Sequence, residues 1–127
     1  MKPEIAYQDF EKLDIRIGTV LSAEVPDWSH WVMKLTVDLG DEIGKRTIFA
    51  GIMKFYKPED LEGKQFPFIV NLKPKRIGPP NERGEYEYSE GMMLMAEGAI
   101  GVSSDDEEVS PVMFKLRKNV PNGVVVR

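Results

Sequence analysis

Apolar and polar residues alternate with a period of two along this chain, and that pattern limits its fold more than any other feature. From Ile15 to Val25 the odd positions read Ile, Ile, Thr, Leu, Ala and Val, while the even ones carry Arg16, Gly18, Val20, Ser22 and Glu24. Alternation returns at Trp31, Met33, Leu35, Val37 and Leu39, with Lys34, Thr36 and Asp38 pointing the other way. A helix would space its apolar residues three and four apart, so both stretches are expected to be strands with one face inward. Gly18 in mid-strand marks a bend or bulge, as a small sheet needs where it curls on itself. Trp31 opens the second strand and is expected in the core. Trp28, Trp31, Tyr86 and Tyr88 could each stack on an unpaired base, and Trp28, in the polar break from Pro26 to His30, is the foremost of them.

Further segments continue the series. Residues 1–13 form an arm or helical turn from which Ile5, Tyr7, Phe10 and Leu13 can dock. Gly40 to Gly44 is a turn, and Thr47 to Ala50 is a third strand, apolar on both faces. Pro58, with Glu59 and Asp60 behind it, opens a short helix, because proline suits a first helical position and acids suit the positive end of the helix dipole. Phe66–Leu72 and Met92–Ala96 are the fourth and fifth strands, and Val112–Leu116 and Val124–Val126 are weaker ones. Within Met92–Ala96, Met92 and Leu94 share one face while Met93 and Met95 share the other; core packing on both faces fits, as does one face turned to a partner. Ser103–Glu108 reads as a solvated acidic turn. Strand, strand, strand, short helix, strand, strand is the order of an all-β, five-stranded Greek-key barrel of the oligonucleotide/oligosaccharide-binding (OB) type. With 127 residues, 42% of them hydrophobic, the chain is expected to be one domain with its core over about 14–97 and extensions over 1–13 and 98–127.

Charge distribution points to a partner. The net charge of -4 argues against nucleic acid, yet residues 43–81 hold eight basic against three acidic residues, and 82–108 hold one against nine. An acidic protein can therefore present a basic face. Asn71, Lys73, Lys75 and Arg76 sit at and just beyond the end of the fourth strand, where cations can meet phosphates and an amide can meet a base edge or a ribose hydroxyl. A solvated hairpin turn would have the same composition.

Catalysis has little support. His30 is the only histidine and has no matching nucleophile motif, and cysteine is absent, so no disulfide, thiolate metal site or cysteine nucleophile can be built, and no cofactor or metal is expected. Acid pairs such as Asp41-Glu42 and Glu59-Asp60 fall in turns and at a helix start. No stretch nears the roughly 18 apolar residues of a membrane span, and the charged N-terminus lacks a signal-peptide core. A cytoplasmic protein that does not enter membranes is expected.

Six segments in order carry a resemblance: Asp9 to Val20, Lys34 to Gly40, Gly51-Ile52, Tyr56 to Leu61, Asn71 to Arg76, and Ser89 to Met92. Together they resemble the tRNA-binding domain family, which includes the C-terminal appendix of bacterial methionyl-tRNA synthetases, stand-alone tRNA-binding proteins and the secretion chaperone CsaA. The tail Val120 to Gly123 is similar to the end of the CsaA-type members. The resemblance implies an OB barrel, made a homodimer by its extensions, that binds the outer corner of tRNA through shape and backbone without catalysis. Its other implied partners are unfolded or exported polypeptides, for which Phe55, Tyr56, Met93 and Met95 would have to be exposed, and methionyl-tRNA synthetase. Matching site positions are Asn71, Lys73, Pro74, Arg76, Ser89 and Met92, with Lys75 beside them; Lys45, Lys54 and Arg16 join on charge and position. Two departures stand out. Gly78 to Tyr88 is longer than the family's usual connection and brings Glu82, Glu85 and Glu87, and the usual lysine-containing segment is missing around Trp28 and His30.

Overall fold

The computed structural model describes residues 1–98 and 110–127, so the acidic run Ser103–Glu108 lies outside the described residues. The elements are α1 (Tyr7–Phe10), β1 (Ile15–Glu24), β2 (Met33–Asp38), α2 (Gly40–Ile43), β3 (Lys45–Ala50), α3 (Pro58–Leu61), β4 (Gln65–Ile69), β5 (Lys75–Ile77), β6 (Glu87–Ser89), β7 (Met92–Met93), β8 (Met95–Ala96) and β9 (Val112–Met113). Five strands pair antiparallel in the order β3-β2-β1-β4-β7 and curl into a nearly closed, OB-like barrel. Its core gathers Val20, Met33, Leu35, Val37, Leu39, Ile48, Phe66, Phe68 and Met93. α3 forms where proline and acids predict it, with the Asp60 carboxylate accepting from the Lys57 N–H at 2.8 Å and Leu61 buried beneath.

β1 sets the curvature. Its first half pairs with β4 from Ile15 to Thr19, its second with β2 from Thr19 to Glu24, and the register shifts between Val20 and Ser22. Before that bulge Gly18 and Val20 face the interior: Val20 is part of the core, and a Cβ on Gly18 would lie 2.7 Å from side-chain atoms of both Leu39 and Val37. Beyond it Ala23 packs on the core and Leu21 is exposed. One inserted residue thus exchanges the faces of a strand whose sequence alternates without interruption. Ile15 and Ile17 are buried outside the central cluster. Along their free edge runs the C-terminal tail, in which Val124 O accepts from Ile17 N at 3.0 Å, Gly123 N donates to Ile17 O at 2.7 Å and Val126 N donates to Ile15 O at 2.8 Å. Gly123 has φ +92°, and its Cα hydrogen faces Leu39 O, which a Cβ would approach to 2.6 Å; only glycine fits.

The barrel closes between β3 and the turn Ser89-Glu90-Gly91. Glu90 N donates to Thr47 O at 2.8 Å, Thr47 N donates to the Glu90 carboxylate at 3.1 Å, and Phe49 N donates to Ser89 Oγ at 3.0 Å. Ser89 Oγ donates onward to Gly91 O at 3.0 Å. Gly91 has no room for a side chain, since a Cβ would lie 2.8 Å from Ile69 O. Arg46 reaches over the seam to the carbonyls of Val70 and Glu90. Side-chain oxygens thus complete an edge that a regular strand pairing would otherwise have to close.

Several local readings differ from the sequence expectation: the fifth strand, expected over Met92–Ala96, is split into β7 and β8 in separate sheets, and Val124–Val126 contributes an isolated bridge between Val125 and Arg16 instead of a strand. β4 ends at Ile69 rather than Leu72: Val70 N still bonds Asp14 O in register at 2.9 Å, but Asp14 N turns to the side chain of Asn71, Oδ1, at 2.9 Å, and the ladder stops there. Gly40–Ile43 is a helical turn rather than a simple turn. The long polar loop contains the hairpin β5–β6. Replacing Ser89 by alanine strands the buried Phe49 N–H and removes one stitch of the seam; unfolding in urea is expected to show a loss of about 1–3 kcal/mol, and unchanged stability would contradict the closure described.

Candidate nucleic-acid interface

The chain leaves β4 through Asn71, whose side chain is spent on structure: Oδ1 accepts from Asp14 N at 2.9 Å and Nδ2 donates to Lys12 O at 2.6 Å. Leu72, Lys73 and Pro74 then lie exposed before β5 carries Lys75 and Arg76, also exposed. Pro74 fixes its own backbone angle, so the two lysines are separated by a stiff residue. Neither ammonium group makes an ion pair or a side-chain hydrogen bond among the described residues. Arg76 packs its guanidinium 4.3 Å from the centre of the Tyr86 ring, a cation–π contact that holds the side chain while leaving its charge.

The long insertion folds as a hairpin. β5 and β6 pair from Lys75↔Ser89 to Ile77↔Glu87. At its tip Asn81 Oδ1 accepts from Arg83 N and Glu85 N, both at 2.9 Å, and Gly84 turns at φ +78°. Where the loop leaves this ladder it is pinned by Trp28, whose ring occupies the space where Gly78 would carry a Cβ, 2.5 Å from that point, and tilts against Phe49 with centroids 6.3 Å apart. Glu87 meets Lys34 on β2, which also faces Glu24 at 3.8 Å. Glu85 faces Arg83 at 3.8 Å at the exposed tip. The insertion therefore lays one carboxylate, Glu87, across the barrel face onto Lys34 and carries Glu82 and Glu85 out to the tip.

The tryptophans exchange the roles expected of them. Trp28 is packed, whereas Trp31 is 55% exposed. Ser29 explains this: its buried Oγ donates to Val32 O at 2.8 Å and accepts from Val32 N at 2.9 Å and Trp31 N at 3.3 Å. That local turn replaces the strand pairing on which alternation relies and swings Trp31 outward. Trp31 lines a cavity of about 510 Å³ with Leu72, Lys73, Lys75 and Met92, and Phe49 and Ser89 contribute to its wall. Met92 is 45% exposed while Met93 is buried, so the methionine run has one core face and one open face. Another hollow of about 470 Å³ is lined by Thr47, Pro74, Glu87, Tyr88 and Glu90. Its two carboxylates disfavour a polyanion there.

Lys73, Pro74, Lys75, Met92 and Ser89 are thus brought together, with Arg76 next along the strand. Others stand apart. Arg16 donates at 2.6 Å to Asp14, at 3.1 Å to Glu42 and at 3.1 Å to Gly123 O, and hydrogen bonds to Asp14 first, then Glu42, raise its pKa. It organises the foot of the barrel. Lys45 is exposed at the start of β3, and Lys54 is exposed on the turn after that strand. Sequence reasoning missed Arg46, the clamp over the seam, and Lys34, the partner of Glu87; the alternation put Lys34 on the outer face but could not say what covers it. Of the candidate polypeptide-binding residues, Met93 is buried and Phe55, Tyr56 and Met95 are half-buried, with the Tyr56 hydroxyl donating to Pro111 O at 2.6 Å. Among the described residues no helix is long and apolar enough to cross a membrane.

The family model described as "Putative tRNA binding domain" matches residues 15–124. The methionine–tRNA ligase of Phocaeicola vulgatus is 45% identical over 114 residues, which is 87% of this chain and 16% of the ligase. That of Archaeoglobus fulgidus is 43% identical over 112 residues, with the same coverage of 87% and 16%. The chain therefore corresponds to a small part of those relatives. Among solved structures, a MetRS-related protein from Pyrococcus horikoshii superposes with a TM-score of 0.78 at 32% identity, covering 99% of this chain and 100% of that one. The chaperone CsaA from Bacillus anthracis superposes with a TM-score of 0.76 at 31% identity, covering 98% and 100%. Barrel, motif order and these likenesses agree: the chain belongs to the tRNA-binding domain family.

Proposed function

We propose that this chain works as one non-catalytic OB-fold unit in the cytoplasm, and that it grips the backbone of tRNA with Lys73, Lys75 and Arg76. The observation that carries this reading is the state of those cations. They project from one stiff turn at the end of β4, and Lys73 and Lys75 have no acidic partner among the described residues, whereas Arg16 and Lys34 are neutralised by neighbouring carboxylates. A polyanion that replaces water at the turn displaces no ion pair that Lys73 or Lys75 makes among the described residues. Lys45 and Lys54, both exposed, extend the contact, and Asn71 and Ser89 serve it by fixing the ends of the 71–91 segment. Methionyl-tRNA synthetase would then be a partner that gains tRNA affinity from a domain acting in trans.

A chaperone role is the second reading, favoured by the likeness to CsaA. Salt separates the two, because phosphate contacts weaken steeply as ionic strength rises and apolar peptide contacts do not. The N-terminal arm supports a homodimer: Tyr7, Phe10 and Leu13 border a cleft with Val125 and Val126, and Ile5, Tyr7 and Leu13 are exposed. Two copies of a weak site gain avidity on one large ligand.

Lys73→Glu combined with Arg76→Glu is expected to weaken tRNA binding by about tenfold or more and to lower the slope of log affinity against log salt by about one per lost phosphate contact, with thermal unfolding unchanged because both side chains are exposed. Unaltered affinity and slope in a fluorescence titration would refute the basic-turn site. Sedimentation equilibrium is expected to give twice the chain mass, falling toward the monomer on Tyr7→Asp with Leu13→Asp; a monomer at every concentration would refute the pairing.

A further inference from the structure

The cavity beside the basic turn has properties that backbone recognition does not require. Three exposed apolar side chains, Trp31, Leu72 and Met92, converge on it, and Lys73 and Lys75, which have no acidic partner among the described residues, stand at the same opening. Trp31 is held at its backbone, since its N–H reaches Ser29 Oγ at 3.3 Å and its carbonyl accepts from Met53 N at 3.2 Å, but its indole is 55% exposed. An indole kept in water by a rigid turn costs apolar burial unless a ligand covers it.

The volume, about 510 Å³, lies within the range of about 300–1,000 Å³ of clefts that take small ligands. The chemistry narrows the occupant. A flat, π-faced group can stack on an indole, and only an anionic flank is matched by the lysine pair. Resting on the reading of the chain as a tRNA-binding protein, we infer that this cavity receives one unpaired nucleobase of the bound RNA, stacked on Trp31 against Met92, with the flanking phosphates on Lys73 and Lys75. Recognition is therefore directed at an unstacked nucleotide as well as at the backbone of a helix.

The wall also says what is not read. Ser89 Oγ is already engaged as donor to Gly91 O and as acceptor from Phe49 N, and no buried side-chain polar atom among the described residues lacks a partner. No buried side chain in the floor is left to hydrogen-bond a base edge, so the floor side chains impose no choice of base.

The test compares the full chain with its Trp31→Phe and Trp31→Ala variants, using tRNA, a short polyuridylate and an RNA duplex as probes. Trp31→Ala is expected to bind tRNA about 5- to 150-fold more weakly, the range for loss of one stacked base, with the salt slope unchanged, and Trp31→Phe to retain most of the affinity. Indole fluorescence is expected to be quenched by polyuridylate, the quenching to be lost in Trp31→Ala, and the duplex to quench little. Trp31→Ala binding tRNA like the parent, or equal quenching by duplex and single strand, would overturn the base pocket while leaving the tRNA-binding reading intact. Displacement of polyuridylate by an acidic unfolded polypeptide that quenches the same indole would overturn it in favour of a peptide. Absence of any salt-dependent binding of tRNA by the parent would remove the functional reading and, with it, this inference.

Discussion

The seam between β3 and the Ser89-Glu90-Gly91 turn is the contact on which the rest of the molecule depends. A sheet of five short strands leaves two edges, and here side chains sew them together: a serine hydroxyl takes the amide of Phe49, a glutamate takes the amide of Thr47, and a glycine lets the turn lie against Ile69. Unsatisfied backbone amides at that edge would be costly to bury and prone to pair with another chain. Because the seam fixes position 89, and Asn71 fixes the other end by bonding to Lys12 and Asp14, the intervening segment is a loop with both feet clamped. Its cations occupy a defined place for that reason.

Frame and contact are therefore supplied by different residues of the same short motifs. In Asn71-Leu72-Lys73-Pro74 the first residue is structural and the third has no side-chain partner among the described residues; in Ser89-Glu90-Gly91-Met92 the first three close the barrel and the fourth opens to solvent. Charge follows the same division. Arg16 and Lys34 are consumed by Asp14, Glu42, Glu24 and Glu87, which leaves the turn as a local positive site on a chain of net charge -4. Local field at short range, rather than total charge, decides whether a phosphate can settle there, since screening reduces contributions from beyond about 8–10 Å.

How much of this was legible in the sequence depends on the range of the interaction concerned. Period-two alternation located β1 and β2, a short run apolar on both faces located β3, proline with two acids located α3, and the ordered motifs led to the barrel. The bulge after Val20 was not legible, because one inserted residue leaves the composition unchanged while exchanging the faces. The exposure of Trp31 was missed because Ser29 forms a local side-chain turn that overrides alternation, a signal present in the sequence but shared by many loop serines. The hairpin β5–β6 and the packing of Trp28 on Gly78 are long-range facts: a tryptophan in a polar loop reads as free until the glycine that accommodates it is known. Asn71 and Ser89 were identified as important from their motifs, yet the bonds that give them a structural part involve Asp14 and Phe49, each about 40 or more residues away along the chain.

The central claim is that the segment clamped between Asn71 and Ser89 is where RNA meets this protein. Amide chemical-shift mapping during a tRNA titration tests it directly, because it reports every backbone position in one experiment. The account predicts that the largest changes fall on Leu72, Lys73, Lys75, Arg76 and Met92, together with the Trp31 indole N–H, and that they vanish at high salt. Changes centred instead on the basic tail at Lys115, Arg117 and Lys118, with the 71–91 segment unmoved, would contradict it.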